Sequence, residues 1–300
     1  MKIAVTGASG FIGTELLAEL NMKEDIGVIA LTRDTSSHKE TERCEWRSTD
    51  YRFESLVEAL DGADVVIHLA GVRGTENDPA RFAVNEEMTA NILKAMDACG
   101  VKRIVFASTM SVYNDDDLMP WKEDAPLKGR SCYGDSKANC EQLIRRCAEE
   151  VGISYGIARI AQVLGEGEKR RGMMNVFLDT ARAHGTLKVM GRSVARKQYI
   201  YVKDLVKILT LLACGGNTLV TGESIIVNVG MPHAYSNLQV AELVNKIYGN
   251  PSPIDYDDSY PETGRPFFMD ISRLQDKLGY RPLDMEEALT AFKDHRGSPG

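Results

Sequence analysis

Two side chains of this sequence stand at a spacing that suits proton transfer: Tyr133 and Lys137, in the run Tyr133-Gly134-Asp135-Ser136-Lys137. In a helical pattern, residues four apart share one face, a single turn from each other. A phenol with an ordinary pKa of about 10 is a poor base at neutral pH. A neighbouring ammonium favours the phenolate and makes the pair a candidate general base. The YxxxK pattern is common by chance, so its meaning depends on its company. A hydroxyl cluster, Ser108-Thr109-Met110-Ser111, directly follows an apolar strand pattern at Arg103–Ala107. Open α/β sheets bind their ligands at that carboxyl edge.

The second constellation is the loop Thr6-Gly7-Ala8-Ser9-Gly10-Phe11-Ile12-Gly13, which follows the strand pattern Lys2–Thr6 and opens a helix. Gly7 permits a tight turn, Gly10 lets backbone N–H groups approach a pyrophosphate, and Gly13 lets the helix lie close on the sheet. The positive end of the helix then faces the phosphates. The spacing is GxxGxxG rather than GxGxxG. The next strand ends Leu31-Thr32-Arg33-Asp34. An acid in that slot accepts the 2′-OH of NAD, whereas an Arg pairs with the 2′-phosphate of NADP. Thr32 takes the acid slot with Arg33 beside it, which tilts the choice to NADP, although Asp34 keeps NAD open.

These residues need a parallel sheet beneath them, and the first half of the chain supplies its pattern. Short apolar runs at Lys2–Thr6, Val28–Thr32, Asp64–Leu69, Arg103–Ala107 and Ile153–Arg159 alternate with helical patterns at Gly10–Leu20, Phe53–Leu60, Arg81–Cys99 and Tyr133–Val151. Such alternation is that of βαβ units. Gly100 is a C-terminal stop. After about Gly165 the alternation weakens, and Gly/Arg/Lys-rich stretches (Gly165–Gly172, Gly191–Lys197) intervene. The expected organisation is a dinucleotide-binding Rossmann domain over 1–164, with returns near 198–230, and a smaller substrate-binding lobe over 165–300. A strand at Ile225–Val229 and a helix at Ser236–Tyr248 are expected, then an irregular segment marked by Pro251, Pro253, Pro261 and Pro266, and fraying from Arg296 to Gly300.

Composition excludes several classes. With 43% hydrophobic and 26% charged residues the chain has the make-up of a globular protein rather than a disordered one. A net charge of -7 and the absence of a long Lys/Arg run argue against nucleic acid as the main partner. Apolar runs such as Val65–Ala70 fall well short of the roughly 20 residues of a membrane span, and the first residues read as a strand rather than a signal sequence; a cytoplasmic protein is expected. The six cysteines lack CxxC pairs or ligand-spaced histidines and read as free thiols, with Cys140 and Cys147 as packing residues. No metal site is expected, and Asp115–Asp117 reads as a solvated turn.

With these motifs assembled, the chain resembles the extended short-chain dehydrogenase/reductases, in the NAD-dependent epimerase/dehydratase group that includes UDP-glucose and UDP-N-acetylglucosamine 4-epimerases. The resemblance spans nearly the whole chain: Thr6–Gly13, Asp50, HLAG at His68–Gly71, Asn85, GVKRIVFAST, STMSVY at Ser108–Tyr113, YGDSK, Arg159 with VLGEG, YIYVKDL at Tyr199–Leu205, and the late GRP and LGYRP pieces. It implies that Thr109 holds the place of the catalytic Ser/Thr, with Ser108 its neighbour. It further implies that Gly7, Ser9, Gly10, Phe11, Ile12 and Gly13 hold the cofactor, that Asp50 and Tyr51 contact adenine, and that Leu69, Ala70 and Gly71 line diphosphate and ribose. Asn85 joins that site and Lys137 bonds the nicotinamide ribose. His68 reads as a strand-end histidine rather than a catalyst. A homodimer through the helices at Arg81–Cys99 and Tyr133–Val151 is implied as well.

The implied chemistry is transient oxidation: Tyr133 takes the proton of a sugar hydroxyl, Thr109 supports the same oxygen, and hydride passes to tightly bound NAD. In an epimerase the 4-keto sugar rotates and receives hydride on its other face. The sequence departs from the group at three places. Met110 and Ser111 replace the acidic pair of dehydratases, Gln162 stands for an Asn at the sugar diphosphate, and Lys197-Gln198 stand for Arg-Asp, with Arg196 one place earlier. Arg196, Lys197 and Arg265 are the cations left to meet a diphosphate, most simply that of a UDP-sugar. The reading is therefore a nucleotide-sugar 4-epimerase; an NADPH-dependent reductase of a keto sugar or other carbonyl is the alternative, and a non-catalytic cofactor-binding protein the second.

Overall fold

The computed structural model describes the chain except residues 166, 169–171, 192, 216–221, 260–263 and 298–300, and the side chains of 294–297. Twelve strands are described: β1 Lys2–Thr6, β2 Gly27–Thr32, β3 Cys44–Ser48, β4 Val65–His68, β5 Arg103–Thr109, β6 Ser154–Ile160, β7 Gln162–Leu164, β8 Leu187–Met190, β9 Lys197–Tyr201, β10 Ile225–Val229, β11 Ala234–Tyr235 and β12 Ile254–Asp257. The helices are α1 Phe11–Asn21, α2 Phe53–Leu60, α3 Pro79–Ala98, α4 Cys132–Val151, α5 Met173–Arg182, α6 Val202–Cys214, α7 Asn237–Tyr248, α8 Ser272–Leu278 and α9 Met285–Gly297.

Seven strands form one sheet in the order β10-β6-β5-β4-β1-β2-β3, every neighbouring pair parallel. Because β-branched and aliphatic residues on both faces are buried, the inner strands β1, β2, β4 and β5 carry apolar runs, as a sheet covered on both sides requires. Leu16 and Leu20 of α1, Leu205 and Leu209 of α6 and Leu274 of α8 cover one face. Leu56 of α2, Ile92 and Met96 of α3, and Cys140 and Ile144 of α4 cover the other. Cys140 is thus a core residue and Cys147 packs at the margin of the same cluster. The strand order reverses between β1 and β4, which opens a crevice beyond their carboxyl ends.

A third core joins α5, α7, α9, β8 and β9 around Phe177, Tyr199, Tyr201 and Phe292. Two small sheets, β11-β9-β7 and β12-β8, belong to this part. The strand expected at Ile225–Val229 returns to the edge of the main sheet beside β6. β3 carries no apolar signature because it is the half-exposed opposite edge, held to β2 through backbone pairing. Of the segment with four prolines, 260–263 lie outside the described residues; of the expected tail, Arg296 and Gly297 still belong to α9 and 298–300 lie outside. Among the described residues no helix is long and apolar enough to cross a membrane.

The turn from β1 to α1 shows why glycine is needed there. Gly7 has φ +69°, and a Cβ on it would lie 2.8 Å from the backbone nitrogen of Ala70. A Cβ on Gly13 would lie 2.3 Å from the Gly7 carbonyl oxygen. Gly13→Ala must therefore push α1 from the turn. We expect a loss of about 1–3 kcal/mol, read as a lower midpoint in thermal denaturation.

Candidate active site

The crevice is a cleft of about 580 Å³ bounded by the glycine turn, the ends of β4 and β5, the start of α4 and the segment after β6. Gly10 is the N-cap of α1 and no side chain caps that helix. Its first-turn N–H groups are thereby left to a phosphate, and a side chain at Gly10 would stand 3.1 Å from the Gly7 carbonyl. This cradle fits the pyrophosphate of a dinucleotide. Gly7, Gly10, Phe11, Ile12 and Gly13 line the cleft, while the Ser9 hydroxyl is turned to Thr32 Oγ1 at 3.3 Å.

At the far end of the turn the Tyr51 hydroxyl accepts from Gly7 N at 3.3 Å, with Tyr51 at φ 66°. Asp50 is exposed and accepts from Arg52 N at 2.9 Å and Ser55 Oγ at 2.6 Å, bonds that hold its carboxyl below the usual range. Arg33 is exposed, and Asp34 is engaged locally with Ser36 N at 2.9 Å. The end of β2 thus presents an exposed guanidinium beside the buried Thr32, with the Asp34 carboxylate turned to a neighbouring bend.

Leu69 and Gly71 line the cleft; Ala70 N donates to Thr6 Oγ1 at 3.1 Å, which ties it to β1 instead. Asn85 reaches Val72 from both ends of its amide, at 2.7 and 2.9 Å, and Ser136 Oγ at 3.2 Å. It therefore pins the loop that follows β4. His68 is buried between Thr6 and Thr89 at 2.8 and 3.2 Å, and desolvation, with the Lys137 charge, lowers its pKa to about 3. It is a neutral structural histidine.

The start of α4 carries Tyr133 and Lys137. Ser131 caps the helix by accepting from Gly134 N at 3.2 Å. A Cβ on Gly134 would lie 2.2 Å from the Ser111 carbonyl, so only glycine lets α4 approach the turn after β5 this closely. That approach brings Tyr133 into hydrogen-bonding reach of Thr109. Burial pushes the Tyr133 phenol up to about 12, against the Arg73 charge and the Thr109 hydrogen bond. Lys137 Nζ donates to the Ala107 carbonyl at 2.8 Å and lies 4.4 Å from the Phe106 ring centroid. Burial lowers its pKa to about 8. The charge of Arg73 lowers the Tyr133 phenol, while the Lys137 ammonium, one turn along the same helix, is engaged with the end of β5.

Arg73 and Glu141 carry signals too plain to find in the sequence, a loop arginine and a helical glutamate. Arg73 bonds both oxygens of Glu168 at 2.9 Å across the cleft. Ser108 lines the cleft, but its hydroxyl donates to Glu141 Oε1 at 2.5 Å. Of the substrate candidates, Gln162 lines the cleft, whereas Arg196, Lys197 and Arg265 are not among its lining residues: Arg196 O accepts from Phe267 N, Lys197 bridges to Phe267, and Arg265 pairs with Asp116. In the Asp115–Asp117 turn, Asp115 and Asp117 are exposed, while Asp116 is half-buried and pairs with Arg130 and Arg265.

A sheet of this order, a glycine turn on its switch point and a Tyr-Lys-Thr centre define a dinucleotide-dependent α/β protein. The sequence pattern described as "NAD dependent epimerase/dehydratase family" matches residues 3–230, and the chain belongs to that family. A putative UDP-glucose 4-epimerase of Methanocaldococcus jannaschii is 28% identical over 302 residues, 96% of this chain and 95% of the relative. The crystal structure of UDP-N-acetylglucosamine 4-epimerase from Bacillus cereus superposes with a TM-score of 0.86 at 28% identity, covering 100% of this chain and 98% of that one. That of UDP-glucose 4-epimerase from Thermotoga maritima, solved with UDP-glucose, gives 0.84 at 25% identity, covering 99% of each.

Two measurements follow from the electrostatics. Arg73→Ala removes the cation that lowers the phenol, so the acid limb of the pH–rate profile is expected to move to higher pH. Imidazole 15N spectra at pH 5 are expected to show His68 still neutral, whereas a charged ring there would contradict its burial.

Proposed function

We propose that this chain is a nucleotide-sugar 4-epimerase, with a UDP-sugar as substrate and NAD as the tightly held cofactor. The carrying observation is the placement of Thr109, Tyr133 and Lys137 along one wall of the cleft that begins at the glycine turn. Tyr133 takes the proton of the sugar 4-hydroxyl and Thr109 steadies that oxygen by hydrogen bonding. Lys137, with Gly71 beside it, meets the nicotinamide ribose. When bound, the nicotinamide accepts and returns a hydride. Met110 is buried where dehydratases carry an acid, so water elimination has no proton donor there.

The similarity to two 4-epimerases over nearly whole chains supports the substrate class. Gln162 on β7 pairs with Tyr199 of β9, two residues from Lys197, and Lys197 bridges to Phe267, two residues from Arg265. We assign the sugar diphosphate to this track, with Arg196 at its edge. Leu69, Ala70 and Gly71 flank the cofactor, and Asp50 and Tyr51 its adenine end. The 1–164 and 165–300 division, a cytoplasmic setting and a homodimer through α3 and α4 complete the reading.

Arg33 favours a second reading, an NADPH-dependent reductase of a keto sugar or other carbonyl, because its guanidinium is exposed where the 2′-phosphate of NADP is read. Incubation with UDP-, GDP- and dTDP-sugars separates the two. Interconversion with no net change at 340 nm is the expected result; stoichiometric loss of NADPH absorbance would establish the reductase instead. Tyr133→Phe is expected to abolish turnover and keep cofactor binding, and full activity in that variant would remove Tyr133 as the base. Light scattering at micromolar concentration is expected to give the dimer mass; a monomer would reject the α3–α4 interface.

A further inference from the structure

Glu141 lies on α4 one turn beyond Lys137 and two beyond Tyr133, and it is 0% exposed. Its Oε1 accepts from Ser108 Oγ at 2.5 Å, the residue before Thr109 at the end of β5. Both of its oxygens accept from Arg159 of β6, at 2.8–3.2 Å. Arg159 is itself fixed, donating to the Tyr113 phenol oxygen at 2.7 Å and the Glu123 carbonyl at 2.8 Å. Tyr113 in turn donates to Asn228 Oδ1 of β10 at 2.7 Å. The carboxylate is bonded by Ser108 from β5 and Arg159 from β6, and its charge acts also on Tyr113 beyond β5 and on Lys137 and Cys140 of its own helix.

A buried ion pair is no more stabilising, on average, than well-packed apolar residues of the same volume. Fold stability alone therefore does not account for a carboxylate at this place. Its third bond, to Ser108, ends on the residue that precedes the reacting hydroxyl, while its own helix carries the reacting phenol and ammonium.

We propose that Glu141 is a positioning residue for the proton-transfer centre: it clamps the end of β5 to α4 so that Thr109 meets Tyr133, and it sets a carboxylate one helical turn beyond Lys137. The proposal deepens the functional reading above and rests on it. Ser108 accordingly acts as the clamp's second jaw rather than as the reacting hydroxyl.

The test uses the full-length, cofactor-loaded protein and three variants: Glu141→Gln, Glu141→Asp and Ser108→Ala. With rates scaled to folded, cofactor-containing protein, Glu141→Gln and Ser108→Ala are expected to lower kcat about 10- to 100-fold with KM unchanged, as misplacement of a reacting group does. In 13Cε-lysine NMR, Glu141→Gln moves the Lys137 titration to lower pH, since an anionic neighbour is lost. Glu141→Asp keeps the charge, so it restores the Lys137 titration but not kcat. Should Glu141→Gln fail to fold, Ser108→Ala, which keeps the ion pair, and Glu141→Asp decide the matter. Wild-type kcat in Ser108→Ala, an unmoved Lys137 titration in Glu141→Gln, or a rate loss in Ser108→Ala with none in either Glu141 variant would overturn the proposal. A wild-type protein that converts no nucleotide sugar would overturn the functional reading, and the lysine titration would still judge the clamp.

Discussion

The Glu141–Arg159 ion pair, with 0% and 2% side-chain exposure, is the contact on which the geometry of the centre depends. Removing one partner of such a pair leaves a charge buried without compensation, at a cost of about 3–5 kcal/mol. The pair persists because further bonds engage both partners, Ser108 on the carboxylate and Tyr113 and the Glu123 carbonyl on the guanidinium. Helix and sheet are thereby joined by directional bonds instead of by greasy contact alone, which would tolerate sliding.

Around that joint the cleft combines two opposed environments. The wall at Tyr133 and Lys137 is dry, and dryness disfavours charge on either group: the phenol is pushed up to about 12 and the ammonium down to about 8. The turn at Gly7 and Gly10 is the reverse, a surface of backbone dipoles open to an anion. Binding is thus concentrated on one side and proton chemistry on the other, with the β4 loop, pinned by Asn85, running between them.

The third core has a different relation to the cleft. Arg73 from the β4 loop meets Glu168 from the segment after β7, so the ion pair that spans the opening joins parts built on separate hydrophobic clusters. The charge of Arg73 acts on the phenol, whereas the Lys137 ammonium is bound to the Ala107 carbonyl of β5.

Much of this was legible in the sequence because it depends on local chemistry. Gly7, Gly10 and Gly13 announce a turn and a close helix; alternating apolar runs announce a parallel sheet; Tyr133 and Lys137 announce one helical face. The half-exposed edge strand at Cys44–Ser48 was not legible, since backbone pairing rather than apolar periodicity holds it. Nor was the partner of each charge. That Lys137 turns to Ala107, that Arg73 attends the phenol, that Asp116 gathers two arginines and that Ser108 answers to Glu141 depend on residues from about 14 to 149 positions apart meeting in space. Short-range sterics write their rules into neighbouring residues, whereas the energy of a buried charge depends on what lies within a few ångströms of it, and only the folded chain decides that.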